Sequence, residues 1–190
     1  MSRFNIPIIG SFFESIAAEF RDKVKPVPGS VLRCDLCGGE TLFGGKLCHT
    51  GIYLGKDRVA EIANVGGKAV VQIVDPYDFL NGQGTNFLRT GINIYVATDG
   101  EGRALGSREI ARRAKTIAAH LRKRGEYDLA ENNCHTFTVW CVTGEIPDEM
   151  QLTDLDVGAA LKTVFGCDDV TWEPTGFGSG DFSFDDVDYA

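Results

Sequence analysis

The chain has 190 residues, 43% hydrophobic and 24% charged, a composition typical of one ordinary globular domain. Its net charge of −8 argues against nucleic acid as the main partner, because nucleic-acid binding calls for a basic surface. Since no apolar run reaches membrane-spanning length and no secretory signal opens the chain, we expect a cytoplasmic protein whose six cysteines are reduced.

The first predicted element is an amphipathic helix over residues 4–20, within an N-terminal segment that we bound at residues 1–25. Ser11 and Glu14 have the spacing of a capping box, and apolar residues recur at helical intervals after them. Two interpretations stay open. The helix packs on the rest of the protein, or it lies on a lipid surface as a peripheral membrane contact, although it has few basic residues for that.

Residues 26–166 are predicted to form the main domain, which begins with short strands and continues with helices. Residues 76–90 lack any period and are predicted to be a long loop. This order indicates an α+β fold with a small antiparallel sheet packed against helices. The predicted strands are 31–34, 49–54, 58–63, 69–74 and 92–97, and the predicted helices are 108–124, 134–142 and 154–165.

Residues 167–190 are predicted to form an acidic, flexible tail. They contain seven acidic residues and neither Lys nor Arg, which leaves 20 acidic against 19 basic residues in the rest of the chain. Acidic and aromatic residues alternate near the end, so the tail is a candidate contact for a protein partner.

Among the cysteines, Cys134 has the sequence context of a nucleophile. Asn132 or Asn133 is expected to cap a helix that begins beside it, which places the sulfur where the helix dipole stabilises a thiolate. Asn133 is also a candidate substrate contact. Cys141, two turns along the same face, is better explained as a core residue.

His49 is the candidate base for that thiol. Strand alternation places His49, Gly51 and Tyr53 on one face, where Gly51 leaves space for substrate and Tyr53 is a candidate wall of the pocket. Glu61 shares the face if it lies opposite or one diagonal from His49, and could then fix the imidazole tautomer; a register shifted by one residue turns it away. The other two histidines are less favoured: His120 is expected on a helix surface and His135 to point away from Cys134.

A structural zinc site is the competing interpretation. Cys34 and Cys37 form a C-x-x-C pair, and Cys48 and His49 follow eleven residues later. Zinc on His49 would prevent it from acting as a base, so the two interpretations exclude each other. The thiol interpretation requires neither a metal nor another cofactor.

Two stretches of the chain resemble the lecithin:retinol acyltransferase family. One is HTGIYLGKDRVA, which begins at His49, and the other is YDLAENNC, which ends at Cys134. The similarity covers about residues 28–146. It implies a circularly permuted papain-like fold in which the strand His precedes the helix Cys, with Cys134 as nucleophile and His49 as general base.

This sequence departs from the family pattern at two places. The family usually has a second His twelve residues after the first, where this chain has Glu61. After the Cys the acyltransferases typically show Glu-His-Phe, whereas His135, Thr136 and Phe137 are more similar to the permuted deSUMOylating isopeptidases. We therefore expect a thiol acyltransferase or hydrolase acting on an acyl-bearing lipid or thioester. The alternatives are a cysteine peptidase or isopeptidase, and a non-catalytic binding module with an interaction tail.

Overall fold

The computed structural model describes residues 22–36, 41–42, 45–82, 89–120, 123–126, 133–147 and 154–178. The helix expected over residues 4–20 and the end of the acidic tail, residues 179–190, lie outside this range. Within it, no helix is both long enough and apolar enough to cross a bilayer.

The described residues form an α+β fold, as the sequence predicts. Seven strands make one antiparallel sheet in the order β8-β6-β5-β4-β1-β7-β9, and β2 pairs with β3 separately. The elements in chain order are β1 Val31–Leu36, β2 Thr41–Leu42, β3 Gly45–Lys46, β4 Cys48–Gly55, β5 Arg58–Val65, β6 Lys68–Val74, α1 Pro76–Asn81, β7 Arg89–Thr98, α2 Arg108–His120, β8 Lys123–Glu126, α3 Cys134–Thr143, α4 Leu155–Phe165 and β9 Thr171–Gly178.

The prediction of a loop over residues 76–90 is wrong at both of its ends. Pro76–Asn81 forms α1, in which the Asp75 side chain accepts a hydrogen bond from the Asp78 amide at 2.8 Å and Gly82 ends the helix in a left-handed conformation. Arg89 already belongs to β7. A helix of six residues is too short to show a period, so only its Asp-Pro start and Gly end mark it in the sequence.

The long helix ends earlier than predicted. α2 stops at His120, and residues 123–126, of which the first two were expected in its last turn, form β8 instead. β8 pairs with β6 at the edge of the sheet, with Lys68 opposite Glu126. Strand pairing there provides hydrogen-bond partners for the backbone. The tertiary context therefore overrides the good helix propensity of Lys123 and Arg124.

The prediction of an irregular chain after residue 166 is wrong for Thr171–Gly178, which form β9. This strand pairs along β7, where Ala97 lies opposite Trp172, and the Thr98 and Thr171 hydroxyls are 2.7 Å apart. The prediction relied on the acidic composition of residues 167–190. It did not take into account that residues 171–178 include a Trp and two Thr, residue types that favour strands.

Two clusters of buried side chains hold the sheet between its helices. The first includes residues of α2, α3 and α4, and the second includes residues of α1. The hydroxyls of Thr50 in β4 and Thr138 in α3 are 3.0 Å apart and join the helix to the sheet. Members of the first cluster include Ile52, Ile62, Ile110, Phe137 and Leu161, and members of the second include Leu32, Tyr53, Phe79, Ile94 and Val96.

Candidate active site

Cys134 is the first residue of α3. Asn133 caps the helix: its side-chain oxygen accepts hydrogen bonds from the amides of His135 at 2.8 Å and Thr136 at 3.0 Å. Of the two asparagines considered, Asn133 therefore provides the cap, while residue 132 lies outside the described residues. Cys134 is only 4% exposed, and its sulfur lies in the first helical turn, where the positive end of the dipole favours a thiolate.

His49 is the second residue of β4, and the β4–β5 hairpin brings Glu61 to it. The turn residues Lys56 and Asp57 both have φ near +50°, the geometry of a tight hairpin turn. Ile52 pairs with Ala60, and that register continued places Glu61 opposite Gly51, one diagonal from His49. Nε2 of His49 lies 2.6 Å from Oε2 of Glu61. The predicted shared face is confirmed.

The space beside Gly51 is filled, contrary to the expectation that it stays open for substrate. A Cβ at Gly51 would lie 2.8 Å from the Ala60 carbonyl oxygen and 2.9 Å from a ring carbon of Phe79. The Phe79 and His49 rings are 5.2 Å apart between centroids. Phe79 comes from α1, in the segment expected to be a loop, so this contact could not be predicted from the sequence.

Arg89 is a residue of the site that the sequence did not indicate. Its guanidinium is buried and donates a hydrogen bond to Oε2 of Glu61 at 2.9 Å and one to the Phe79 carbonyl oxygen, and it lies 3.1 Å from Nε2 of His49. Gln72 also donates to Glu61, at 2.7 Å from Oε1. No local motif marks Arg89, because its role depends on the packing of β7 beside α1 rather than on its neighbours in sequence.

Glu61 is a buried carboxylate held in its charged form. Burial alone would raise its pKa, but the charges of Arg89 and then His49 outweigh burial and lower the pKa to about 2. Burial lowers the pKa of Arg89, while the charge of Glu61 raises it above its ordinary value. Because a carboxylate only accepts hydrogen bonds, Glu61 fixes the proton of neutral His49 on Nε2 and leaves Nδ1 as the basic nitrogen.

Two imidazoles act on the Cys134 sulfur. Burial raises the pKa of the Cys134 thiol, but attraction to His135 and to His49 outweighs burial and lowers the pKa well below its ordinary value. The structure therefore brings Cys134, His49 and Glu61 together. It also corrects the expectation for His135, which interacts with Cys134 rather than pointing away. His120 is exposed at the end of α2, as predicted.

The other described thiols have different surroundings. Burial raises the pKa of Cys34 and of Cys48, and Cys141 lies in the first core cluster. Among the described residues, no group of three or more His, Cys, Asp or Glu side chains is placed to hold a metal ion. Cys37, the second member of the C-x-x-C pair, lies outside those residues.

The two predicted substrate contacts have structural roles of their own. Tyr53 is 5% exposed, belongs to the second core cluster, and its ring lies 6.0 Å from that of Phe177 in β9. Asn133 is 1% exposed and uses its side-chain oxygen to cap α3. A contact of either residue with substrate stays a prediction.

A family model described as Lecithin retinol acyltransferase matches residues 33–147, which is more than half of the chain. The chain belongs to this family. The match confirms the resemblance drawn from the two sequence motifs, and it spans His49, Glu61, Arg89 and Cys134. Membership in the lecithin retinol acyltransferase family indicates a thiol enzyme of the acyltransferase type in general. No curated protein and no solved structure matches the chain.

Proposed function

We propose that this protein is a cysteine-dependent acyl-transfer enzyme with the permuted papain-like fold, in which Cys134 is the nucleophile and His49 its general base. The observation that supports this most is the buried connection from His49 through Glu61 to Arg89. Because Nε2 contacts Glu61 at 2.6 Å, the other nitrogen of the ring is left as the one that can exchange a proton with the thiol.

In the proposed reaction, Cys134 transfers its proton to His49 and its sulfur attacks the carbonyl carbon of an acyl donor. His49 then returns the proton to the leaving group, and a thioester acyl-enzyme forms. Water or an acceptor, deprotonated by His49, attacks the thioester and releases Cys134. Glu61 stabilises the imidazolium that forms in each half of this cycle, and Arg89 keeps Glu61 charged.

The backbone amide of Cys134 is the candidate oxyanion donor. The amides of His135 and Thr136 bind the side chain of Asn133, and that of Phe137 binds the Asn133 carbonyl oxygen. Within the described part of the chain, the Cys134 amide has no such acceptor. It is therefore available for the negative oxygen that develops when the sulfur attacks.

The proposed substrate is an acyl-bearing lipid or thioester, in keeping with the family, and the N-terminal segment is the proposed peripheral membrane contact. Peptide or isopeptide hydrolysis is the second candidate, favoured by the run His135, Thr136 and Phe137 after the nucleophile. A binding module that uses residues 179–190 to engage a protein partner would need none of the chemistry of Cys134.

A substrate panel tests the proposal. Purified full-length protein is given phospholipid vesicles, acyl thioesters, and peptide or isopeptide substrates, and the released products are measured. We expect turnover of a lipid or thioester that Cys134→Ala abolishes and that Cys141→Ala, a matched buried thiol on the same helix, retains. Turnover of peptides alone would select the isopeptidase. Equal turnover by Cys134→Ala and the parent would contradict a thiol nucleophile.

A further inference from the structure

His135 is a buried imidazole with one nitrogen engaged and the other not. It is 1% exposed, and its Nε2 lies 3.1 Å from the Cys48 carbonyl oxygen at the start of β4. Nδ1 is buried and makes no hydrogen bond of regular geometry within the described part of the chain. A buried nitrogen without a partner is rare in folded proteins and calls for an explanation.

The contact with Cys48 determines which nitrogen of neutral His135 is basic. A carbonyl oxygen only accepts hydrogen bonds, so Nε2 must carry the hydrogen. Nδ1 of the neutral ring then has a free lone pair. The acidic proton that this lone pair can take is that of the adjacent Cys134, with which His135 interacts. His49 is arranged in the same way, with Nε2 on Glu61 and Nδ1 as the basic nitrogen.

We propose that His135 is a second base for the Cys134 thiol. The proton leaves Sγ and binds to Nδ1 of His135, which gives a thiolate beside an imidazolium, while Nε2 keeps its hydrogen on the Cys48 carbonyl oxygen. This inference rests on the proposed function, because it divides the work of that site. His135 holds the thiol proton before the attack and so keeps the nucleophile ionised. When Sγ bonds to the acyl carbon, the imidazolium of His135 loses the thiolate that stabilised it and releases that proton, which His49 passes to the leaving group; His49 also deprotonates the acceptor.

The charged groups around the site agree with this division. Burial lowers the pKa of His135, but attraction to Cys134 outweighs burial and raises that pKa well above its ordinary value. The groups that interact electrostatically with the Cys134 thiol are His135, His49 and Arg89. His135 also interacts with the Cys48 thiol. The charge of Arg33 lowers the pKa of that thiol, and the charge of Asp154 raises it. Burial raises the pKa of Cys48, so that thiol keeps its proton. It therefore does not replace the Cys134 thiolate as the negative partner of the His135 imidazolium.

Matched glutamine variants test the inference. A Gln amide can keep the donor on the Cys48 carbonyl oxygen in His135→Gln, or on Glu61 in His49→Gln, while it removes the basic nitrogen. The rate of Cys134 alkylation by iodoacetamide is measured against pH for the full chain, with peptide mass spectrometry to report that thiol alone. We expect His135→Gln to raise the midpoint of the profile by about one pH unit or more, a loss of about tenfold in alkylation rate below the midpoint.

We expect His49→Gln to keep a lowered midpoint and to lose acyl turnover. A His135→Gln profile that superimposes on the parent's, or a His49→Gln profile that by itself returns to that of an ordinary thiol, would overturn the inference. Alkylation needs no acyl substrate, so these results do not depend on whether the proposed function holds. Conversely, the protein could turn over no substrate of the panel while His135→Gln still shifts the alkylation profile. That result would reject the proposed function and leave the role of His135 standing.

If His135→Gln does not fold, nitrogen NMR of the imidazoles gives the same test without it. Near neutral pH, we expect both nitrogens of His135 to be protonated in the parent protein. In Cys134→Ala, where no thiolate stabilises the imidazolium, we expect Nδ1 to be unprotonated. Identical His135 signals in the two proteins would overturn the inference.

Discussion

Two buried arginine–carboxylate pairs, Arg89–Glu61 and Arg33–Asp154, stand in the same fold and differ in what surrounds them. Arg33 of β1 pairs with Asp154, the N-cap residue of α4, and its guanidinium lies 4.7 Å from the ring centre of Trp172 and 5.2 Å from that of Tyr95. Arg89 pairs with Glu61, and both contact His49. Aromatic rings lie beside the first pair. The second pair also has an aromatic ring, that of Phe79 at 5.9 Å from the Arg89 guanidinium, but both of its members contact an imidazole.

Burial of an ion pair therefore does not by itself mark a functional site. Each pair costs desolvation, and each leaves a stranded charge if one partner is removed. What separates them is the third group. Aromatic faces hold Arg33 in place and exchange no proton, whereas the imidazole beside Glu61 can gain a proton and be stabilised by the carboxylate. We therefore propose a structural role for the first pair and a positioning role for the second.

The largest expected effect comes from Glu61→Gln, which removes the charge that supports His49 and leaves Arg89 without its carboxylate. The amide can also donate to Nε2 and favour the wrong tautomer. We expect the single-turnover rate of Cys134 acylation to fall by about 10²–10⁴-fold. A rate within tenfold of the parent's would mean that Glu61 does not support the base.

The matched substitution at the other pair, Arg33→Met, is expected to reduce stability and spare chemistry. It removes the positive charge of Arg33 from beside the buried Asp154 carboxylate, so the free energy of unfolding measured with urea should fall by about 3–5 kcal/mol. The acylation rate of the folded protein should stay within about twofold of the parent's. An acylation defect as large as that of Glu61→Gln would erase the distinction between the two pairs.

The smallest expected effect is a dependence of stability on pH that Glu61 contributes. Its pKa is lowered from 4.5 to about 2 in the folded state, so the folded protein binds the proton less readily than the unfolded chain. The contribution, about 3 kcal/mol by linkage, is present above the unfolded pKa and is lost as pH falls toward 2. The difference in unfolding free energy between the parent and Glu61→Gln should shrink over that interval; a constant difference would contradict it.

The local signals of the sequence predicted the parts of the site that depend on neighbouring residues. Cys134 at the start of a helix follows from the Asn pair before it. Glu61 on the face of His49 is one of the two outcomes that the hairpin sequence leaves open, and the register of the strands decides between them. Arg89 and Phe79 could not be predicted, because they reach the site from β7 and α1 through long-range packing. The interaction of His135 with Cys134 could not be predicted either, because neighbouring residues of a helix generally point in different directions and the contact of Nε2 with the Cys48 carbonyl oxygen depends on long-range packing.

In the proposed reaction the Cys134 sulfur forms a covalent acyl intermediate, and His49 transfers the protons. Mass spectrometry of the intact full-length protein, after brief exposure to phospholipid and thioester donors, tests it most directly. We expect a mass increase equal to one acyl group that digestion maps to Cys134. The increase should be absent from Cys134→Ala and slower to form in His49→Gln. An adduct on another residue, or product formed by Cys134→Ala at the parent's rate, would contradict it.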